Sequence, residues 1–309
     1  MSSYLRQKWQ SFQIISSTAR EQEEEEERDG RSSEQDEPTK IGIMRALVEA
    51  QDPTAKVRSF VISSPRFRLH LMYSCRCLDY VRKYLNGLKM ARSNPISVVQ
   101  RADIDDLMLR RFLRARDLNV EKATAMFVKY LKWKKDFVPN GCISPTEIAE
   151  NLDHDKLFMQ GYDKTGRPIV VVFAARHKPT NVDEFKRYVV FTLEKICARM
   201  PIGHEKFTAI ADLQGWGYVN SDVRGYLAAL TILQDCYPER LGKLFIVHVP
   251  YIFMTAWKMV YPLIDKNTRK KIIFVEDKNL QSTLLHDIDE TQLPDTFGGK
   301  LGLIPIQEC

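Results

Sequence analysis

Long apolar runs are missing from this 309-residue sequence. The longest aliphatic stretch, "IVVVFAA" from Ile169 to Ala175, falls far short of the ~20 residues that cross a bilayer. The opening "MSSYLRQKWQSFQIISS" has no apolar centre of the kind a signal peptide carries. Membrane contact is therefore expected to be peripheral, and a cytoplasmic, peripherally membrane-associated protein is predicted. Cysteine is sparse and scattered: Cys75, Cys77, Cys142, Cys197, Cys236 and Cys309. Only the first two are close, and no Cys/His set has structural zinc spacing. Reduced thiols and no metal site are expected.

Catalytic signatures are missing too. No GxGxxG follows a strand, and there is no Walker loop and no GxSxG elbow. "HDID", His286 to Asp289, and "DHD", Asp153 to Asp155, hold possible metal ligands, but nothing nearby completes a site. Cys236 precedes "YPER", yet its spacing to Arg240 does not match a phosphatase loop. The chain is thus expected not to be an enzyme and to need no cofactor, with an undetected hydrolase as the weakest reading. A net charge of +6 is mainly a solubility property, so no nucleic-acid partner is expected.

What is present divides the chain. Residues 1–40 contain "EQEEEEERDGRSSEQDEP", a block of like charge that predicts a disordered acidic tail. The tail reads as plain solvated chain or as a site for protein partners. Residues 41–102 hold a short amphipathic helix, "KIGIMRALVEAQDP", with Ile43, Leu47 and Ala50 at helical spacing, and then a basic segment. From Val57 to Arg101 there are nine Lys or Arg and one acid, Asp79. Without a long period, this stretch reads as a basic patch for anionic lipid or as an insertion. A short helix over Leu78–Leu88 fits within it.

Residues 103–140 read as a helical subdomain. "DIDDLMLRRFLRAR" has acids in its first turn and bases in its last. Asn119 can cap the next helix, whose stripe is Ala123, Met126, Phe127, Tyr130 and Leu131. Residues 141–303 alternate strands and helices, and 304–309 are left as a tail. "GYDKTGRP" is a turn before the strand "IVVVFAA". Helix Asp183–Met200, strand "FTAIADL", helix Asp222–Cys236, strand "KLFIVHV", a helix from Tyr251 and strand "KIIFV" follow. Near-continuous apolar strands between helices predict an α/β fold: a mostly parallel sheet flanked by helices.

The unusual element is "YIFMTAWKMVYPLI", Tyr251 to Ile264. Its polar exceptions are Thr255 and Lys258. A helix apolar all round is either central in a large core or touches something other than water. This one joins two strands by a short crossover and so belongs on the outside of the sheet. Phe253, Trp257 and Val260, or their neighbours, should then face a ligand pocket or a membrane. Trp257 and the flanking tyrosines suit an interface.

"LRRFLRARDLNVEKATAMF", "DKTGRPI", "YPERLGKLFIVHVP", the apolar helix, "TRKKIIFV" and "LPDTFGGKL" occur in this order. Together, from Asp105 to about Leu303, they resemble the CRAL-TRIO family, including phosphatidylinositol/phosphatidylcholine transfer proteins. The resemblance implies a helical N-terminal subdomain and an α/β domain enclosing an apolar lipid pocket gated by a mobile helix. It implies one bound phospholipid, most readily phosphatidylinositol, exchanged or presented at a transiently touched membrane surface. A membrane-recruited scaffold that uses lipid binding as an address is the alternative.

The resemblance also implies site residues. Glu239 matches the family acid that accepts from inositol hydroxyls, and Lys271 the lysine near the phosphate. Thr268 and Arg116 match further headgroup neighbours. Tyr251, Phe253, Trp257 and Val260 would contact acyl chains or form the gate. Without the resemblance, Arg116 reads as a surface salt bridge and Glu239 as an ion pair with Arg240 or Lys243. Two departures stand out. Asp117 follows the "RAR" arginine where phosphatidylinositol binders often carry a base. Phe207 and Ala209 stand where phosphatidylcholine binders carry pocket hydroxyls, which weakens phosphatidylcholine more than phosphatidylinositol.

Overall fold

The computed structural model describes residues 36–52, 55, 57–58 and 104–309. The acidic tail up to residue 35, the basic stretch from 59 to 103 and the helix expected over Leu78–Leu88 lie outside these residues. Three helices build the N-terminal region: α1 (Glu37–Gln51), α2 (Asp106–Arg114) and α3 (Val120–Phe137). The starts of α2 and α3 follow from capping. Asp105 accepts from the Met108 N–H at 2.7 Å, and Asn119 from the Lys122 N–H at 2.9 Å. Their shared core holds Leu109, Phe112, Ala123 and Phe127, with the Phe112 and Phe127 rings edge to face at 4.9 Å.

The face of α1 differs from the expected one. Ile41, Met44 and Val48 are buried, while Ile43 and Leu47 are exposed. Both stripes are apolar at helical spacing, so periodicity alone cannot choose between them. Packing on α2 and α3 chooses the first. Between α1 and α2 a two-residue strand β1 (Val57–Arg58) pairs in parallel with β2 (Ile104–Asp105).

The main sheet has five strands in the order β3 (Leu157–Tyr162), β4 (Pro168–Phe173), β5 (Phe207–Asp212), β6 (Leu241–Val247) and β7 (Ile272–Phe274). The last four run parallel to one another. β3 is antiparallel to β4, and its mixed segment "KLFMQGY" gave no strand signal. The turn between them is pinned by Asp163, which accepts from Thr165 N–H and Oγ, the Arg167 N–H and the Thr208 hydroxyl. Burial alone would raise its pKa. The hydrogen bonds outweigh burial and hold the carboxyl below its ordinary range. The open edge of β3 is covered by the C-terminal residues, where Phe158 bridges to Pro305.

Side-chain alternation sorts the sheet's two faces. Val170, Ala209, Leu244 and Ile246 point one way, toward α5 (Val182–Arg199), α6 (Val223–Cys236) and α7 (Phe253–Val260). Ile169, Val171, Ile210 and Phe245 point the other way, toward the helix α9 (Leu280–Asp287) and Phe297. Two short helices complete the set: α4 (Ala149–Asp153) precedes β3, and α8 (Lys266–Lys270) precedes β7. The α/β architecture thus agrees with expectation.

Candidate functional site

The sheet's two faces are covered unequally. On the α9 face, eleven buried apolar residues are joined by five half-buried ones. Under α7 the proportion reverses, with six buried and twelve half-buried. The half-buried set includes Leu230 of α6, Leu244 of β6, Ile272 and Phe274 of β7, and Phe253 and Val260 of α7. Apolar surface left half covered costs ~25 cal/mol per Å², so this face asks for another apolar occupant.

Helix α7 is shorter than the apolar run that encodes it. It ends at Val260 and continues as a tight 3-10 turn over Tyr261–Leu263, which contains Pro262. Trp257 is buried, and Phe253 and Val260 are half-buried on the inner side. The ring of Phe253 meets Trp216 at 5.3 Å and Trp257 at 6.1 Å, and Trp257 meets Phe274 at 5.2 Å. The Trp257 indole N–H is buried with no hydrogen-bond partner among the described residues, a state that ordinarily costs ~1–3 kcal/mol. The outer side carries Tyr251, 73% exposed, with Met259 and Leu263. Tyr218 and Val219, 79% and 80% exposed, lie in the 3-10 turn Tyr218–Asn220, two and three residues past Trp216. The sequence did not single them out.

A polar cluster lies at the other end of the strands. Glu239 adopts φ +57°, a left-handed conformation that costs a non-glycine residue ~1–2 kcal/mol. Its carboxylate receives Lys271 at 3.1 Å and Lys206 at 3.7 Å. It does not pair with Arg240 or Lys243. Arg240 instead donates to the Glu205 carbonyl, and Lys243 pairs with Asp287 at 2.6 Å. Lys271 begins directly before Ile272, so the charged cluster joins the half-covered apolar face. Arg167 packs over Gly242, where a Cβ would come within 2.9 Å of its side chain. The Arg167 guanidinium has no ion pair or side-chain hydrogen bond among the described residues. Arg114 adds its field from α2, although its own guanidinium is held by Glu37 at 2.6 and 2.9 Å.

Thr268 lies one turn before Lys271, its N–H donating to the cap residue Asp265. Its hydroxyl makes no hydrogen bond among the described residues. Arg116 lies on another surface. It donates to the Ala115 carbonyl and lines a shallow groove of about 370 Å³ with Lys122, Lys129 and Asp235. The cause is local. Asp117 and Leu118 take φ of +50° and +58°, and the Leu118 N–H reaches back to the Leu113 carbonyl, the pattern of a helix-ending reversal. Lys206 and Arg167 have no period in the sequence to mark them, and Arg114 is one of several bases in "LRRFLRAR" that the sequence does not tell apart. Phe207 and Ala209 are buried and face α5 and α6, while Thr208 faces α9.

A second buried polar group has another character. Lys156 donates to Asn151 Oδ1 at 2.8 Å, His177 Nδ1 at 3.0 Å and His154 Nδ1 at 3.2 Å. His177 Nε2 lies 3.3 Å from Asp222, so Nε2 carries the proton in this network. Burial lowers the Lys156 pKa to about 7, against the pull of Asp222 and Glu184. Burial and the Lys156 charge lower His177 to about 4. Lys156, His177 and Asp222 are each under one-tenth exposed. Their bonds join the start of β3, the segment after β4 and the cap of α6, which makes this a structural staple. Among the described residues no His, Cys, Asp and Glu group could hold a metal ion, and no helix is long and apolar enough to cross a membrane.

Comparison with known proteins places this geometry. The profile of the CRAL/TRIO domain matches residues 152–299, and that of the CRAL/TRIO N-terminal domain matches 78–129. The Sec14 cytosolic factor of Schizosaccharomyces pombe is 32% identical over 220 residues, 63% of this chain and 75% of that protein. The SEC14 cytosolic factor of Candida glabrata is 32% identical over 234 residues, 69% and 77% of the two chains. An Arabidopsis thaliana relative, 34% identical over 216 residues, 63% of this chain and 39% of that one, is named phosphatidylinositol/phosphatidylcholine transfer protein SFH7. The crystal structure of Sfh5 shares the fold, with a TM-score of 0.50 at 18% identity, over 79% of this chain and 95% of that one. The chain belongs to the CRAL/TRIO domain family. That family is one of lipid-binding and lipid-transfer proteins, not of catalysts.

Proposed function

We propose that this protein holds one phospholipid, phosphatidylinositol, and exchanges or presents it at membranes. The observation that carries the reading is the junction of Glu239 and Lys271, 3.1 Å apart, with the half-covered apolar face under α7. In this reading Lys271 takes the headgroup phosphate, Glu239 accepts from inositol hydroxyls, and Thr268 offers its free hydroxyl. The acyl chains lie along Leu244, Ile272 and Phe274. The Trp257 N–H finds an ester carbonyl of the lipid. Phe207 and Ala209 supply no hydroxyl on the inner face, which disfavours a choline headgroup.

The energetics set what the apolar face must do. Each methylene moved from bilayer to water costs ~0.8 kcal/mol. A two-chain lipid would lose on the order of 20 kcal/mol unless the protein replaced that environment nearly completely. A dry face with a movable wall makes extraction an exchange between similar media. α7 is that wall, joined to the body by aromatic contacts. Tyr251, Met259, Leu263, Tyr218 and Val219 then meet the bilayer surface.

Native mass spectrometry of the purified protein tests the reading. One co-purifying phosphatidylinositol per chain is expected. Empty protein that binds liposomes but moves no lipid between vesicles would reject it in favour of a membrane-recruited scaffold.

A further inference from the structure

We infer that the preferred ligand carries a phosphomonoester on its inositol ring, read by Lys206 and Arg167 beside the Glu239–Lys271 pair. The inference rests on the phosphatidylinositol reading above and specifies the headgroup further.

The reasoning starts from the charges that a plain inositol headgroup leaves without work. Its single phosphodiester is matched by Lys271, and its uncharged ring hydroxyls by Glu239. Lys206 and Arg167 remain. Lys206 reaches Glu239 only at 3.7 Å, behind Lys271 at 3.1 Å. Arg167 is half-buried and has no ion pair or side-chain hydrogen bond among the described residues. It is seated over Gly242, the one residue type whose lack of a side chain leaves it room. Arg114 contributes a further positive field, while its own hydrogen bonds go to Glu37. A half-buried guanidinium with no ion partner among the described residues, flanking an ammonium whose carboxylate is shared with Lys271, leaves positive charge free to receive an anion.

A phosphomonoester supplies what is missing. It carries about −1.5 to −2 charge at pH 7 and three acceptor oxygens, which matches the two cations left over. The planar fork of arginine suits two such oxygens at once. The crowding already shows in Lys206. Burial lowers its pKa, and the charges of Lys271, Arg167 and Arg114 lower it further against Glu239. A bound dianion would reverse that pressure.

Two sources share this chemistry, a phosphorylated phosphatidylinositol and a free inositol phosphate. The apolar face beside Lys271 favours the lipid. The test uses the full chain and donor vesicles containing phosphatidylinositol or its 3-, 4- or 5-phosphate. A competition arm adds soluble inositol hexakisphosphate. At least one monophosphorylated lipid should be carried about tenfold better than phosphatidylinositol, the effect of one charge-assisted contact. That ratio should fall about tenfold in Lys206→Ala and in Arg167→Gln, and hold in Lys206→Arg, which keeps the charge and guards against a folding artefact. Equal transfer of all four lipids by the parent overturns the inference and leaves the phosphatidylinositol reading standing. An undiminished ratio in Lys206→Ala and Arg167→Gln overturns the assignment of these two residues. Tight binding of inositol hexakisphosphate with no extraction of phosphorylated lipid overturns it in favour of a soluble ligand. Transfer of other phospholipids but no inositol lipid overturns both readings together.

Discussion

Replacing Lys271 with alanine separates a headgroup role from a structural one. The Lys271 ammonium lies 3.1 Å from Glu239, and the two side chains are 17% and 18% exposed. Removing the lysine does not strand the carboxylate, because Lys206 is already 3.7 Å away. The folding cost should therefore stay near 1 kcal/mol, the upper range for a partly exposed pair. In the loaded protein the loss is larger. A phosphate without its charge-assisted partner forfeits ~1.5–3 kcal/mol, or about 10–150-fold in affinity. Lys271 must loosen its hold on Glu239 to reach a phosphate, so the lower end, about tenfold, is expected. The assay is transfer of fluorescent phosphatidylinositol between vesicles, with thermal melting recorded on the same samples. Unchanged transfer would refute the headgroup assignment. A large drop in Tm with every lipid lost alike would show that the pair serves the fold.

Glu239→Ala should weaken transfer of inositol lipids more than of lipids lacking a polyhydroxyl headgroup, and a headgroup comparison in the same vesicle assay checks it. Phe253→Asp should leave melting near normal and abolish extraction, because the ring is half-buried on α7 and an Asp there would cost ~2.5–3.5 kcal/mol in a hydrocarbon-like setting; unfolding would mark the helix as plain core. Lys156 provides a pH signature. Its folded pKa of about 7 lies below the ordinary lysine value of 10.5, so the unfolded chain binds more protons between these values. Stability contributed by this group is therefore expected to rise from pH 7 toward 10.5, and Lys156→Met should flatten that slope in chemical denaturation.

Much of the architecture was legible because the apolar strands and the capped helices repeat simple periods. Asp105 and Asn119 mark their helix starts as capping chemistry requires. Failures occurred where two answers satisfy the same pattern. Both apolar stripes of α1 fit a helix, and only contact with Leu109 and Phe127 selects Met44 and Val48. "KLFMQGY" mixes Lys, Gln and Gly into a strand that sits at the sheet's edge, beside a turn fixed by Asp163. At the site, Glu239 and Lys271 lie 32 residues apart, and no local period joins them. They were reached through the family resemblance. Arg116 was reached the same way, yet the left-handed pair Asp117–Leu118 turns the chain so that Arg114 is the residue near Glu239. Lys206 and Arg167 acquire meaning only from the strands they flank, which meet edge to edge in the folded sheet.

The parallel pairing of Val57–Arg58 with Ile104–Asp105 has a consequence for chain closure. It brings the chain back, across one strand spacing of ~4.8 Å, to the place it left 45 residues earlier. A segment that departs and returns at one point can change length without moving α1 or α2. For a flexible connection, each doubling of length costs only ~0.6 kcal/mol in closure entropy. The pairing therefore fixes where the chain leaves and re-enters the scaffold, so that β1 and β2 themselves anchor α1 and α2 relative to each other.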